Sequence, residues 1–344
     1  MSLANSNIIE KEVYNKIHST GAQPARLYGL PKIHKSKTDP KYRPILSMPN
    51  AYCTKLAKYL DSLLKPFIPT EFSIKDTFDF VEKIRQFQLP ERNYIISFDV
   101  TSLFTNIPLD ATIQFICDFI PENALPISKT ALSRLLYLSC KDILFSFDEQ
   151  LFIQHDGMCM GSNLGPTMAS FAMHMIEQRM PKNYLFYRRY VDDILTVFES
   201  KESAMQFFNR LNTLSNHIKF TFEQEHHGKI VFLDVELNRA DGELKTKWHM
   251  KNTNTGTYLH KSAFSPTSHK TAAIRSLIFR ALKISSSETF FEEAYEKIKC
   301  IFILNGYHYK FIEKIKNTIM RKINQPPLKC SNDKKEIYTG IYRF

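Results

Sequence analysis

Apolar residues recur along this chain with two periods, and the switches between them lay out its elements. Residues 24–50 are rich in proline and basic residues and predict extended strands and loops. Residues 51–89 look helical, with Leu56, Leu60, Leu63 and Leu64 at helical spacing. Tyr94 to Val100 is a buried-strand run broken by one charge, Asp99. Helices are expected to fill residues 109–143, followed by a hairpin over Phe145–Gln154 that turns at Asp148-Glu149. Thr167 to Glu177 is helical and mostly apolar. Next come two runs rich in aromatic and β-branched residues, Tyr187 to Val191 and Ile194 to Phe198, which predict a hairpin with Asp192-Asp193 at its turn. A helix over 201–217, strands at 218–225 and 230–238, and a hairpin turning at Asp241-Gly242 follow. Beyond residue 268 the pattern predicts amphipathic helices. Ala272, Leu277, Ile278, Leu282, Phe290, Phe291, Ile298, Phe302 and Ile303 face inward there, Arg275, Arg280, Lys283, Lys297 and Lys299 face outward, and Asn305-Gly306-Tyr307 makes a turn.

Three carboxylates stand out against this background. Asp192 and Asp193 repel one another, so the pair is either a solvated turn or a place where a cation binds. Mg²⁺ suits the second case, because it takes one or two carboxylates and leaves positions for substrate phosphates. Asp99 in an apolar strand is costly to bury unless it is paired or binds metal; the alternative is a strand-end residue capping a turn. Together the three form the carboxylate set of a two-metal phosphoryl-transfer site.

A series of motifs resembles the reverse transcriptases, most closely those of Penelope-like retroelements. Leu27-Tyr28-Gly29-Leu30-Pro31-Lys32-Ile33-His34-Lys35 and Tyr42-Arg43-Pro44-Ile45-Leu46-Ser47 resemble the two fingers motifs. Ser97 to Pro108 resembles palm motif A, Gly157 to Pro166 motif B, Arg189 to Asp193 motif C and Ile230 to Leu237 the primer grip. The six occur in the family's order over roughly residues 26 to 310.

The resemblance implies an α+β right-hand polymerase fold, with fingers, a palm built on an antiparallel sheet and a helical thumb. It implies Asp99, Asp192 and Asp193 as catalytic metal ligands, with the Val100 backbone carbonyl, for two Mg²⁺ ions that Mn²⁺ can replace. Arg43 and Lys32 would hold the incoming triphosphate, Arg suiting this because its fork bonds phosphate twice. Phe104, five residues after Asp99, would exclude a 2′-hydroxyl. Met160, where many relatives have Gln, and Gly161 would meet the nucleotide, glycine allowing close approach of backbone to a ligand. Phe232, Leu233 and Asp234 would form the primer grip. Lys219, His226, His227 and Lys229 are candidates for the general acid, and spacing does not select among them.

Charge sharpens this picture. The net charge is +11. Residues 11–65 carry 11 Lys/Arg against 3 Asp/Glu and residues 245–344 carry 19 against 7, whereas residues 66–244 carry 16 against 24. Basic segments thus flank an acidic centre, which suits a polymerase whose flanks would grip phosphate backbones while its centre collects cations. Six cysteines without a close Cys-x-x-Cys pair predict reduced thiols rather than a zinc site or disulfide framework. No apolar run nears membrane-span length and no signal peptide is visible.

The expected organisation is a lead-in and fingers (1–93), a palm with embedded fingers helices (94–244), a thumb (245–325) and a linker (326–344). Gly340-Ile341-Tyr342 in that linker resembles the opening of a GIY-YIG endonuclease, whose remainder the sequence lacks. The expected function is RNA-directed DNA synthesis in a retrotransposon, inside the cell and in the nucleus, with an RNA template, a DNA primer or target and dNTPs as partners. The rivals are a telomerase-like enzyme, an RNA-directed RNA polymerase disfavoured by Phe104, and a non-catalytic nucleic-acid binder.

Overall fold

The computed structural model of the protein describes residues 10–33, 38–240 and 243–324. The chain divides into two compact units, one running to Leu233 and including Leu237–Leu244, the other comprising Asp234–Glu236 and the chain from Lys245 onward.

The first unit opens with α1 (Lys11–Ile17), β1 (Ala25–Pro31), β2 (Tyr42–Ser47), α2 (Thr54–Leu64) and α3 (Thr77–Gln86). Then come β3 (Tyr94–Val100), α4 (Leu109–Phe119), α5 (Lys129–Cys140), β4 (Ile143–Phe147) and β5 (Gln150–Gln154). α6 (Gly165–Glu177), β6 (Phe186–Tyr190), β7 (Asp193–Phe198), α7 (Lys201–Leu211), β8 (Phe220–Gln224) and β9 (Lys229–Phe232) complete it. One sheet has the order β2-β1-β4-β5, with β1 antiparallel to β2 and parallel to β4. The other has the order β6-β7-β3-β8 and is antiparallel throughout.

The near-continuous apolar run of β3 suits a strand with a partner on each side, and it lies between β7 and β8. Ile96, Phe98 and Val100 enter a core shared with Ile113 and Ile116 of α4, Met168, Phe171 and Ala172 of α6, and Phe207 of α7. Each such side chain contributes about 1.5–3 kcal/mol on burial. Ser128 and Ser200 cap α5 and α7 through bonds from the amides of Ala131 and Ser203. The buried thiols of Cys53, Cys140 and Cys159 are pushed up by desolvation, Cys53 to about 11 and the other two to about 12.

Three expected boundaries shift. The helical stretch at 51–89 breaks into α2 and α3 around Pro66 and Pro69. The helix expected to 217 ends at Leu211, where the Asn212 side-chain oxygen accepts from the Phe220 amide at 2.9 Å and ties the exit to β8. The single strand expected over 230–238 is two strands, because Leu233 turns into left-handed backbone at φ +57°. No propensity of an apolar residue announces such a turn.

β10 (Val235–Ala240) and β11 (Glu243–Trp248) stand with β9 in a sheet of order β11-β10-β9. The second unit holds α8 (Thr267–Ile284), α9 (Glu288–Leu304) and α10 (Tyr309–Asn324). Its core is Ile274, Ile278, Ala281 and Ile284 of α8 with Phe291, Ala294, Ile298 and Phe302 of α9. Ala272 and Ile303, expected inside, are exposed. Ile278, Phe291, Ile298 and Phe302 are buried as expected, and Thr271, Ile274, Ala281 and Ile284 are buried with them. The buried Asn305 makes the α9–α10 turn by donating to the carbonyls of Gly256 (2.7 Å) and Ile301 (2.8 Å).

Candidate active site

β7, buried on both faces from Ile194 to Phe198, pairs antiparallel with β3. That register sets Asp99 opposite Asp193. Tyr190 pairs with Asp193 across the β6–β7 hairpin, so Val191 and Asp192 form the turn. The Val100 amide donates to the Asp192 carbonyl at 3.2 Å, tying the turn to the end of β3.

Asp99 is exposed, and Asp192 and Asp193 are half-buried. Desolvation pushes the Asp192 carboxyl above the usual carboxylate range, and the charge of Asp99 adds to the rise. Its own backbone amide and the Arg43 guanidinium oppose this. Asp192 therefore feels one like charge from β3 and one opposite charge from β2. Among the described residues no group of three or more His, Cys, Asp or Glu side chains converges as a ready-made ion cage. The three aspartates are neighbours by strand register.

The motif B stretch leans on the fingers sheet through its backbone. The Leu46 amide donates to the Met160 carbonyl at 2.8 Å. Gly161 has φ +131°, and a Cβ there would lie 2.1 Å from the Leu46 carbonyl oxygen. The Leu46 backbone thus makes a close approach to this glycine. Gly161→Ala is accordingly expected to cost at least about 2–3 kcal/mol, because a backbone carbonyl cannot move aside as a side chain can. Gly21→Ala, with nothing within 4 Å of its Cβ at φ +67°, should cost about 1 kcal/mol. Thermal melts of the two variants compare them.

A cavity of about 280 Å³ beside Gly161 is lined by Tyr28, Ser47, Thr54, Lys58 and Asn163 among others. Phe104 is half-buried in a short 3-10 turn after β3, and its carbonyl accepts the Met158 amide at 2.7 Å. A Cβ on Gly165 would lie 3.2 Å from the Phe104 ring, so the ring rests on the start of α6.

The remaining candidates from the sequence make the following contacts. Lys32 follows β1, and its amide donates to the Lys41 carbonyl. Phe232 is buried against Phe80, ring centroids 4.7 Å apart, and Leu233 makes the left-handed turn. Asp234, in the second unit, takes a bond from Arg280 Nε at 3.0 Å; Arg280 was expected to face solvent. Of the general-acid candidates, Lys219 donates to the carbonyls of Asn212 and Ser215, both at 2.9 Å, and so caps its own loop. His226 and His227 stack on each other at the β8–β9 turn. His34, Lys35, Asp241, Gly242 and the Gly340-Ile341-Tyr342 tail lie outside the described residues.

The sequence reading missed Glu177 and Arg189. Both are buried and paired behind the Asp192 turn. The available signal was a lone carboxylate at the end of the apolar α6 run, since such a charge is seldom buried without a partner.

Comparison with known proteins followed the same lines. Residues 33–238 match the sequence profile described as Reverse transcriptase (RNA-dependent DNA polymerase). Residues 257–317 match that of the Animal helix-turn-helix domain. No curated protein sequence matches the chain. Among solved structures, telomerase from Candida albicans in complex with a fragment of telomeric RNA aligns at 13% identity and TM-score 0.57, over 92% of this chain and 62% of that one. Apo telomerase from Candida tropicalis aligns at 13% identity and TM-score 0.51, over 94% and 63%. The Sicinivirus 3Dpol RNA-dependent RNA polymerase aligns at 12% identity and TM-score 0.52, over 90% and 71%. These likenesses establish a mixed α/β right-hand polymerase fold. The chain spans about three-fifths of the length of the telomerase chains it matches.

Proposed function

Because the chain belongs to the reverse transcriptase (RNA-dependent DNA polymerase) family, we propose that it copies RNA into DNA within a Penelope-like retroelement. The observation that carries this reading is the set of carboxylates at one end of β3. Register sets Asp99 opposite Asp193, and the Asp192 carboxyl is raised by desolvation and by Asp99 and lowered by Arg43. All donors at this point are hard oxygens, and their mutual repulsion is what a small dication relieves, so the residues fit Mg²⁺. Asp99, Asp192, Asp193 and the Val100 carbonyl would hold it, and Mn²⁺ would substitute. When bound there, Mg²⁺ supplies Lewis acidity toward the phosphate and the attacking oxygen.

The protein's share of the reaction is positioning and charge. The primer 3′-hydroxyl attacks the α-phosphorus of a dNTP, forming the new P–O bond as pyrophosphate leaves. Arg43, exposed on β2, binds the triphosphate. Phe104, held on the start of α6, fills the space beside the sugar and excludes a 2′-hydroxyl. Residues 244–287 contain eight Lys/Arg and no Asp/Glu, a composition suited to phosphate backbones.

Nucleotide choice tests this reading. The unaltered protein should extend a DNA primer on RNA with dNTPs and reject rNTPs. Phe104→Ala should reduce that discrimination by about 10-fold or more, measured as the ratio of kcat/KM values. Equal use of both sugars by the unaltered protein would point to an RNA-directed RNA polymerase. The retroelement context rests on the fingers and palm motifs, since telomerase shares the fold. Repeat addition from one fixed RNA segment would favour the telomerase-like alternative, and continuous copying of a long template the retroelement.

A further inference from the structure

We infer that Glu177 and Arg189 are positioning residues that set the direction of Asp192, an inference that rests on the polymerase reading above. Glu177 is the last residue of α6, and Arg189 lies on β6 just before the Val191-Asp192 turn. Their side chains are 1% and 2% exposed. Arg189 donates from Nε to Glu177 Oε1 at 2.6 Å and from Nη2 to Oε2 at 3.1 Å, a two-point fork. Its remaining nitrogen, Nη1, reaches the Val191 carbonyl at 3.2 Å, and Nη2 also reaches Ser73 Oγ at 3.3 Å.

The surroundings hold the fork still. The Tyr187 hydroxyl donates to Glu177 Oε1 at 3.1 Å. The Arg189 amide donates to the Phe72 carbonyl and its carbonyl accepts the Ile74 amide, both at 2.9 Å, so residues 72–74 edge β6. His174 lies near Glu177, but burial pulls its imidazole down. The neutral ring leaves Arg189 as the cation against the Glu177 charge.

Val191 explains what this arrangement is for. It has φ +57°, a conformation that a β-branched residue adopts only when its surroundings over-determine it. The Arg189 bond to the Val191 carbonyl does so, and Asp192 is the next residue. A buried ion pair is weak evidence for stability in itself. A fork whose spare nitrogen grips the backbone beside a metal-binding carboxylate is explained by the aim it gives that carboxylate.

The test uses the full chain with both partners replaced, Glu177→Met with Arg189→Met, which leaves no buried charge unpaired. The primer–template Kd, kcat, KM for dNTP and half-saturating Mg²⁺ concentration are measured well below the melting temperature. A kcat lowered about 10–100-fold, with half-saturating Mg²⁺ raised about 10-fold and the primer–template Kd unchanged, is expected. A merely structural pair would move the melting temperature and leave the Mg²⁺ titration where it was, which would overturn the inference. If the double variant does not fold, Arg189→Lys decides on the same readings, because it keeps the buried charge and loses the reach to Val191. Failure of the unaltered protein to extend any primer would overturn the polymerase reading and this inference together. Extension indifferent to these variants would overturn the inference alone.

Discussion

Asp192→Asn is expected to slow primer extension by roughly 10³-fold or more while raising the melting temperature. On the proposed role of Asp192, the loss follows from removing a charged oxygen ligand where several kcal/mol of charge stabilisation are needed. The gain follows from the electrostatics of the metal-free protein. Desolvation, helped by Asp99, holds the folded carboxyl above its ordinary value. A group raised in this way contributes stability that is complete below its unfolded pKa and is lost as pH rises through the folded pKa. At neutral pH the ionised Asp192 therefore opposes folding, and an amide of the same shape does not. With solvent screening of a half-buried group allowed for, the gain should be on the order of a degree or two in Tm. It should disappear as pH falls below the carboxylate range, where Asp192 is protonated in both states. Melting curves of the two proteins at several pH values, without added metal, check the sign. A lower melting temperature for the variant at neutral pH would show that desolvation, with the charge of Asp99, does not raise this carboxyl in the folded protein.

The second large effect concerns Glu177 and Arg189. Glu177→Met alone leaves a guanidinium that is 2% exposed without its counter-charge. It should lower stability by about 3–5 kcal/mol. Replacing both residues with Met should restore most of that loss, because two apolar side chains of similar volume need no solvation. The two single changes and the double form a cycle whose coupling is large and positive for stability. Denaturant melts followed by circular dichroism measure it. Equal losses in the single and double variants would mean that packing, and not the unpaired charge, sets the cost.

The two halves of the site differ in how far the sequence revealed them. The β6–β7 hairpin was legible because its strands are dense in aromatic and β-branched residues and the carboxylates interrupt them at one point. β3 was legible for the same reason, and its central place between β7 and β8 follows from an apolar run too long for a one-sided strand. The pairing of Asp99 with Asp193 was not legible, since register depends on which faces are buried in three dimensions.

Backbone geometry was the least legible part. Val191 and Leu233 adopt left-handed conformations that their side chains disfavour, so local propensity pointed away from both turns. Val191 is held by a bond from Arg189 Nη1 to its carbonyl. The close packing of Gly161 on the Leu46 carbonyl was not legible, because a glycine's freedom does not say what approaches it. In the second unit the helices were found with Ile278, Phe291, Ile298 and Phe302 inward, whereas Ala272 and Ile303 are exposed. A stripe of mixed Ala, Thr and Ile leaves the direction of the apolar face to packing.

The central claim is that the carboxylates at the end of β3 and in the β6–β7 turn carry out RNA-templated DNA synthesis. The most direct measurement is extension of a labelled DNA primer annealed to an RNA template of defined sequence, with dNTPs and Mg²⁺. It compares the unaltered chain with Asp99→Asn at equal primer–template occupancy. The account predicts a ladder that follows the template sequence for the unaltered chain and its loss in Asp99→Asn, with primer–template binding retained. A full ladder from Asp99→Asn would contradict it.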